Sequence, residues 1–287
     1  MAKVIIDSNA GPCSGVQRAL HLVERTLQEK KTVYALGSLI HNSAEVQRLE
    51  KQGLVTLDQQ RVEDGETVLE DNSCVFVRSH GISESFYKRL RNQELNLVDG
   101  TCPTVGGVQR KIKRYFDDGY QIVIIGKPSH PEVRGLNGYC NNQAIVVNSV
   151  EKLVDVVLKD KCMVISQTTM SQDVFAQLAD YIRKRAPQAV LFNTICPQVK
   201  KRNQNIRNFA QQVNVVLLVG GKQSSNTRVL FDISKQCNPD TYWIENQHDI
   251  QMDWFSGAEI IGITGSASTP VWQLQKIQDY LECETLN

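Results

Sequence analysis

No two cysteines of this chain form a C-x-x-C pair; the closest of its eight in sequence are Cys140 and Cys162. Zinc fingers, zinc ribbons and thioredoxin-type redox motifs therefore lose their usual signature. There is no G-x-x-x-x-G-K-[ST] loop and no G-x-G-x-x-G fingerprint, which disfavours nucleoside triphosphates and dinucleotide cofactors. Long hydrophobic runs are missing too. VVLLV at Val215–Val219 falls far short of the roughly 18 apolar residues of a membrane helix. The opening MAKVIIDSNAG lacks the apolar core of a signal peptide. Neither sign of charge dominates. The 32 Lys and Arg against 31 Asp and Glu give a net charge of +1, which excludes a strongly basic nucleic-acid binder. These absences set the expectation of a cytoplasmic protein with no membrane or nucleic-acid partner. In such a compartment thiols stay reduced, so any metal chemistry must draw on cysteines far apart in sequence.

What is present is a repeat. Short apolar runs alternate with amphipathic segments throughout, so the class is α/β. Three cysteines each follow an apolar run: VIIDSNAGPC at Cys13, LNLVDGTC at Cys102 and AVLFNTIC at Cys196. A helix-like segment follows each, and Pro103 and Pro197 suit a first helical position, where a missing N–H costs nothing. A second apolar run then ends in Gly37, Gly126 and Gly220, 24 residues beyond the cysteine every time. Polar loops come next (SLIHNS, KPSHPE, GKQSSN), and a third set (RSHGIS, SQTTMS, TGSAST) follows later apolar runs. Length alone, at 287 residues, predicts about two domains. The repeat predicts three instead, with boundaries 1–101, 102–195 and 196–287. The sheets should be mainly parallel, with ligand-binding loops at the carboxyl ends of the strands.

If three like domains surround a pseudo-threefold axis, Cys13, Cys102 and Cys196 can converge. Three thiolates at helix N-termini suit a soft metal. Zinc with one open position and a [4Fe–4S] cluster with one open iron are comparable on ligand count alone. Cys74 and Cys162 lie inside strand-like runs and read as core; Cys140, Cys237 and Cys283 carry no assigned role. His41, His80 and His130 all lie just past apolar strands, unlike His21 and His248. With Thr168, Thr169, Ser224, Ser225, Asn226, Ser266 and Ser268 they offer many hydrogen-bond donors and few fixed charges, a set that suits a phosphate. The same Ser, Thr and Asn residues also suit helix caps. Glu132 is the one carboxylate among these loops. It suits a proton donor beside anionic oxygens, and equally a first-turn residue complementing a helix dipole.

In order along the chain stand AGPCSGV, His41-Asn42, SHG at His80, TCP at Cys102, HPEV at 130–133, QTT at 167–169, Cys196, SSN at 224–226 and TGSAS at 264–268. This series resembles the LytB/IspH family of 4-hydroxy-3-methylbut-2-enyl diphosphate reductases over essentially the whole chain. The resemblance implies a trefoil of three α/β domains around one [4Fe–4S] cluster held by Cys13, Cys102 and Cys196. It implies an allylic diphosphate substrate, held by His41, His80, His130, Ser224, Ser225, Asn226 and Ser268. Thr168 would contact the network at the substrate hydroxyl, and Glu132 would supply a proton. Two electrons and two protons would expel the hydroxyl as water and give isopentenyl and dimethylallyl diphosphates. The electrons would come from an external donor such as ferredoxin or flavodoxin, for which basic clusters at Lys111–Arg114 and Lys200–Arg202 are docking candidates, although solvated helix faces explain them as well. The chain departs from the family pattern at Pro12, where a phenylalanine is usual, and after Cys196, where Arg202 is kept in a different setting. The rival reading is a non-redox cluster enzyme, a hydratase or dehydratase of a phosphorylated small molecule.

Overall fold

The computed structural model describes residues 2–284. Among the described residues twelve strands are formed: β1 (Lys3–Ile6), β2 (Val33–Leu36), β3 (Leu54–Leu57), β4 (Cys74–Val77), β5 (Asn96–Asp99), β6 (Gln121–Ile125), β7 (Ile145–Val147), β8 (Cys162–Ser166), β9 (Val190–Leu191), β10 (Val215–Val219), β11 (Thr241–Ile244) and β12 (Ile260–Gly265). The helices are α1 (Ser14–Glu29), α2 (Ser43–Glu50), α3 (Gln59–Glu63), α4 (Glu84–Arg91), α5 (Pro103–Asp117), α6 (Pro131–Asn137), α7 (Gln172–Arg185), α8 (Pro197–Ala210), α9 (Ser225–Cys237) and α10 (Val271–Glu284). Among the described residues no helix is long and apolar enough to cross a membrane.

The strands build three four-stranded sheets, ordered β3-β2-β4-β5, β7-β6-β8-β9 and β11-β10-β12-β1. Every pairing is parallel. One central strand of each sheet is buried along its whole length, CVFV in β4, CMVIS in β8 and VVLLV in β10, as expected of parallel strands covered on both faces. Helices supply the covering layers. Phe86 and Leu90 of α4 pack with Val75 and Val77, Val105 and Ile112 of α5 with Ile122 and Ile124, and Leu274 and Ile277 of α10 with Leu217 and Ile263.

The expected division at 1–101, 102–195 and 196–287 differs from this arrangement in two ways. The first concerns β1, which opens the first repeat but pairs with β12 of the last, Lys3 opposite Ile260 and Ile6 opposite Ile263. The three sheets explain why. In the first two, the closing edge strand is β5 or β9, the strand that leads into the next cysteine. In the last sheet, among the described residues, β1, which leads into Cys13, takes that place. Hydrophobic periodicity marks β1 as a strand without saying which strand it pairs with.

The second difference is that the chain gathers into two compact units. One holds residues 2–17, Ile40–Arg48 and residues 197–284, with the β11-β10-β12-β1 sheet; the other holds Arg18–Leu39 and Leu49–Cys196, with the other two sheets. Close backbone packing joins the two sheets of that second unit. A Cβ on Gly138 would stand 2.2 Å from the Cβ of Ser83, and one on Gly135 would stand 3.3 Å from the carbonyl oxygen of Gly81.

Candidate functional site

In the unit holding β1 and β10–β12, Cys13 lies half-buried immediately before α1, and its N–H donates to the carbonyl of Ala267 at 3.3 Å. Gly11, at φ 108°, makes the turn that brings the chain to it. Asp7, at the end of β1, is buried and accepts from Thr264 Oγ1 at 2.9 Å. Arg202 of α8 donates to the carbonyl of Asn9 at 2.9 Å. Burial lowers its pKa, while Cys13 and Asp7 oppose that shift. Arg202 is therefore directed at the Cys13 loop rather than belonging to an exposed basic face.

The polar loops of the same unit stand at the carboxyl ends of β10 and β12. Ser224 caps α9, its Oγ accepting from the N–H of Thr227 at 3.2 Å, and Ser225 begins the helix. Asn226 is 7% exposed, and neither Nδ2 nor Oδ1 has a hydrogen-bond partner. A buried carboxamide left this way is costly, so it marks a place where a ligand supplies the missing contacts. Ser268 is buried beside Ser266, with Oγ atoms 3.1 Å apart, and its hydroxyl donates to the His41 carbonyl at 3.4 Å. A Cβ on Gly221 would lie 2.4 Å from that same carbonyl, so a glycine is needed for His41 to sit against this loop. Asn42, next to His41, donates to Gln273 Oε1 at 2.7 Å and accepts from the N–H of Glu45 at 3.0 Å. It is structural and anchors the His41 turn.

The unit holding β2–β9 carries the other half of the expected set. Cys102 stands at the N-terminus of α5, held by its N–H to the Ser79 carbonyl at 3.0 Å. His130 caps α6: its Nδ1 accepts from the N–H of Glu132 at 3.2 Å, which leaves Nε2 to carry the proton of the neutral ring. The His80 and His130 rings meet edge-on with centroids 5.3 Å apart. Glu132 is 2% exposed. Its Oε1 accepts from the N–H of Thr168 at 2.6 Å and its Oε2 from Thr168 Oγ1 at 2.7 Å. Burial raises the pKa of this carboxyl, and the two bonds from Thr168 counter part of the shift. The Thr168 carbonyl in turn accepts from the N–H of Cys196 at 2.9 Å. Glu132, Thr168 and Cys196, 64 residues apart at the extremes, thus form one continuous chain of hydrogen bonds.

Among the described residues the cysteines form no disulfide. They divide by surroundings. Cys13, Cys102 and Cys196 are each half-buried and each directly precede a helix. Half-buried sulfur donors of this kind suit a soft metal. Burial instead pushes the Cys140 and Cys162 thiols up to about 11 and moves Cys74 in the same direction, as expected of core thiols. Cys140 donates to the Asn137 carbonyl at 3.2 Å.

A family model described as LytB protein matches residues 4–282. The chain belongs to the LytB family. All of the residues above fall within the matched span. A relative from Aquifex aeolicus, a 4-hydroxy-3-methylbut-2-enyl diphosphate reductase, is 36% identical, covering 99% of this chain and 98% of its own. Another reductase, from Alkaliphilus oremlandii, is 37% identical over 96% of this chain and 98% of its own. A solved structure of (E)-4-hydroxy-3-methyl-but-2-enyl diphosphate reductase superposes with a TM-score of 0.74 at 36% identity, covering 98% of this chain and 99% of its own. The reductase structure from Plasmodium falciparum, at 24% identity and a TM-score of 0.88, shares the fold. The architecture of parallel-sheet α/β units is thus that of the family.

Sequence reading missed the linking residues. Asp7, Arg202 and Thr168's carbonyl act through contacts that only tertiary structure creates. Of these, Arg202 had a signal as the arginine kept after Cys196 and Thr168 as part of the QTT run, while Asp7 had none.

Proposed function

We propose that this chain is a 4-hydroxy-3-methylbut-2-enyl diphosphate reductase, an oxidoreductase of the final step of the non-mevalonate route to isoprenoids. The reaction removes the allylic hydroxyl as water, with two electrons and two protons, and leaves isopentenyl and dimethylallyl diphosphates. The observation that carries this reading is the Glu132–Thr168–Cys196 chain, which ties a buried carboxylic acid to a metal-type cysteine. Cys13, Cys102 and Cys196 would hold one [4Fe–4S] cluster, which would supply the two electrons and Lewis-acid chemistry at an iron without a cysteine ligand.

The protein's own residues position and protonate. Ser224, Ser225, Asn226 and Ser268 bind the diphosphate together with His41, His80 and His130, and the Asn226 carboxamide gains the contacts it lacks. Fixing the charged end holds the allyl group in one orientation, which converts binding into a lower barrier. Glu132, whose pKa burial raises, delivers the proton that lets the oxygen depart as water. Thr168 hands the carboxyl a fixed geometry and contacts the substrate hydroxyl network. The electrons come from an external carrier such as ferredoxin or flavodoxin, and the protein works in the cytoplasm, where thiols remain reduced. Anaerobic incubation of cluster-loaded protein with 4-hydroxy-3-methylbut-2-enyl diphosphate and a reduced donor tests the reading. It predicts the two C5 diphosphates; a hydrated product, or none, contradicts it.

A further inference from the structure

Arg78, at the end of β4, is 7% exposed and has no carboxylate partner among the described residues. Its Nη1 donates to the Ser38 carbonyl at 3.3 Å and its Nη2 to Gln59 Oε1 at 3.1 Å, while Nε has no hydrogen-bond partner. A second guanidinium, that of Arg134 on α6, lies near enough to repel it, and the two line an open cavity of about 340 Å³. Arg134 itself is exposed and donates to Gln60 Oε1. The one carboxylate on the wall, Asp58, is turned to α3, where its Oδ1 accepts from the Gln60 and Arg61 amides. A buried cation facing a second cation is unfavourable unless an anion joins them. The backbone is shaped around this pair: Gly37 holds φ 80°, and a Cβ there would stand 2.7 Å from the Arg78 Cζ.

We propose that this cavity, at the carboxyl ends of β2, β3 and β4, is a second anion site, taking a phosphate or diphosphate between Arg78 and Arg134. Guanidinium forks match phosphoryl oxygens, and the wall of Ser38, Thr56, Gln59 and Gln60 offers further hydrogen-bonding groups. The site uses none of the residues assigned to substrate binding above.

Equilibrium dialysis of the full chain against labelled inorganic diphosphate tests it. Wild-type protein should bind two diphosphates per chain; Asn226→Ala and Arg134→Gln should each keep one. In the Asn226→Ala background, Arg134→Gln should weaken the remaining binding roughly tenfold or more, the loss expected of a charged hydrogen bond. Arg134 is exposed, so this variant keeps the test decisive even if Arg78→Gln fails to fold. If wild type binds one diphosphate and Asn226→Ala binds none, the second site is overturned and the substrate-site reading stands. If Asn226→Ala leaves binding intact while Arg134→Gln abolishes it, the second site stands and the Asn226 assignment falls. Competition by dimethylallyl diphosphate then separates the sources: displacement assigns the site to a prenyl diphosphate head group, and no displacement assigns it to the free anion.

Discussion

Glu132 must be a neutral acid to give up a proton, and its surroundings favour that form. Burial holds its pKa above the usual carboxylate range, so the protonated state persists to higher pH than for an exposed glutamate. The sign of the pH dependence follows: turnover should fall as pH rises through that raised pKa, because the carboxylate cannot deliver the proton. Thr168 donates to Oε2, a bond that favours the charged form. Thr168→Val removes it and should move the alkaline limb of the kcat profile upward, a shift read directly from the pH–rate curve. Glu132→Gln should lower turnover by about 10²- to 10⁴-fold with the limb gone, measured by product formation at saturating substrate. A limb that stayed in place in Glu132→Gln would assign the titration to another group.

At the scale of elements, the loops that carry the site depend on tight approaches between neighbouring segments. Gly138, just after α6, packs against Ser83, whose Oγ caps α4 by accepting from the Phe86 amide at 3.3 Å. Gly138→Ala would drive a methyl group into Ser83, displacing that cap. The expected cost is about 1–3 kcal/mol, checked by urea unfolding of the variant against wild type. Such contacts were not legible in the sequence, since a glycine looks the same whether it ends a helix or admits a neighbouring backbone. What was legible has a local cause. The constant 24-residue step from cysteine to glycine is one helix, one turn and one strand, and Pro103 and Pro197 announced helix starts that α5 and α8 bear out. Ser224 and His130 declared themselves as loop residues, and both turn out to cap helices while lining the polar clusters. The pairing of β1 with β12 was hidden because strand pairing is a long-range choice.

Across the whole molecule, the repeat gives Cys13, Cys102 and Cys196 the same local address: after an edge strand, before a helix. The consequence for metal binding is checkable by iron analysis of anaerobically reconstituted protein. Wild type should carry about four irons per chain. Cys13→Ser, Cys102→Ser and Cys196→Ser should each lose most of them, while Cys283→Ser, at an exposed position, should keep the full count. The reductive nature of the reaction is the central claim, and electron counting tests it most directly. With cluster-loaded protein and a stoichiometric one-electron donor, two electrons should disappear for each molecule of isopentenyl or dimethylallyl diphosphate formed. Product formed with no electrons consumed would contradict the account and point to hydration or dehydration instead.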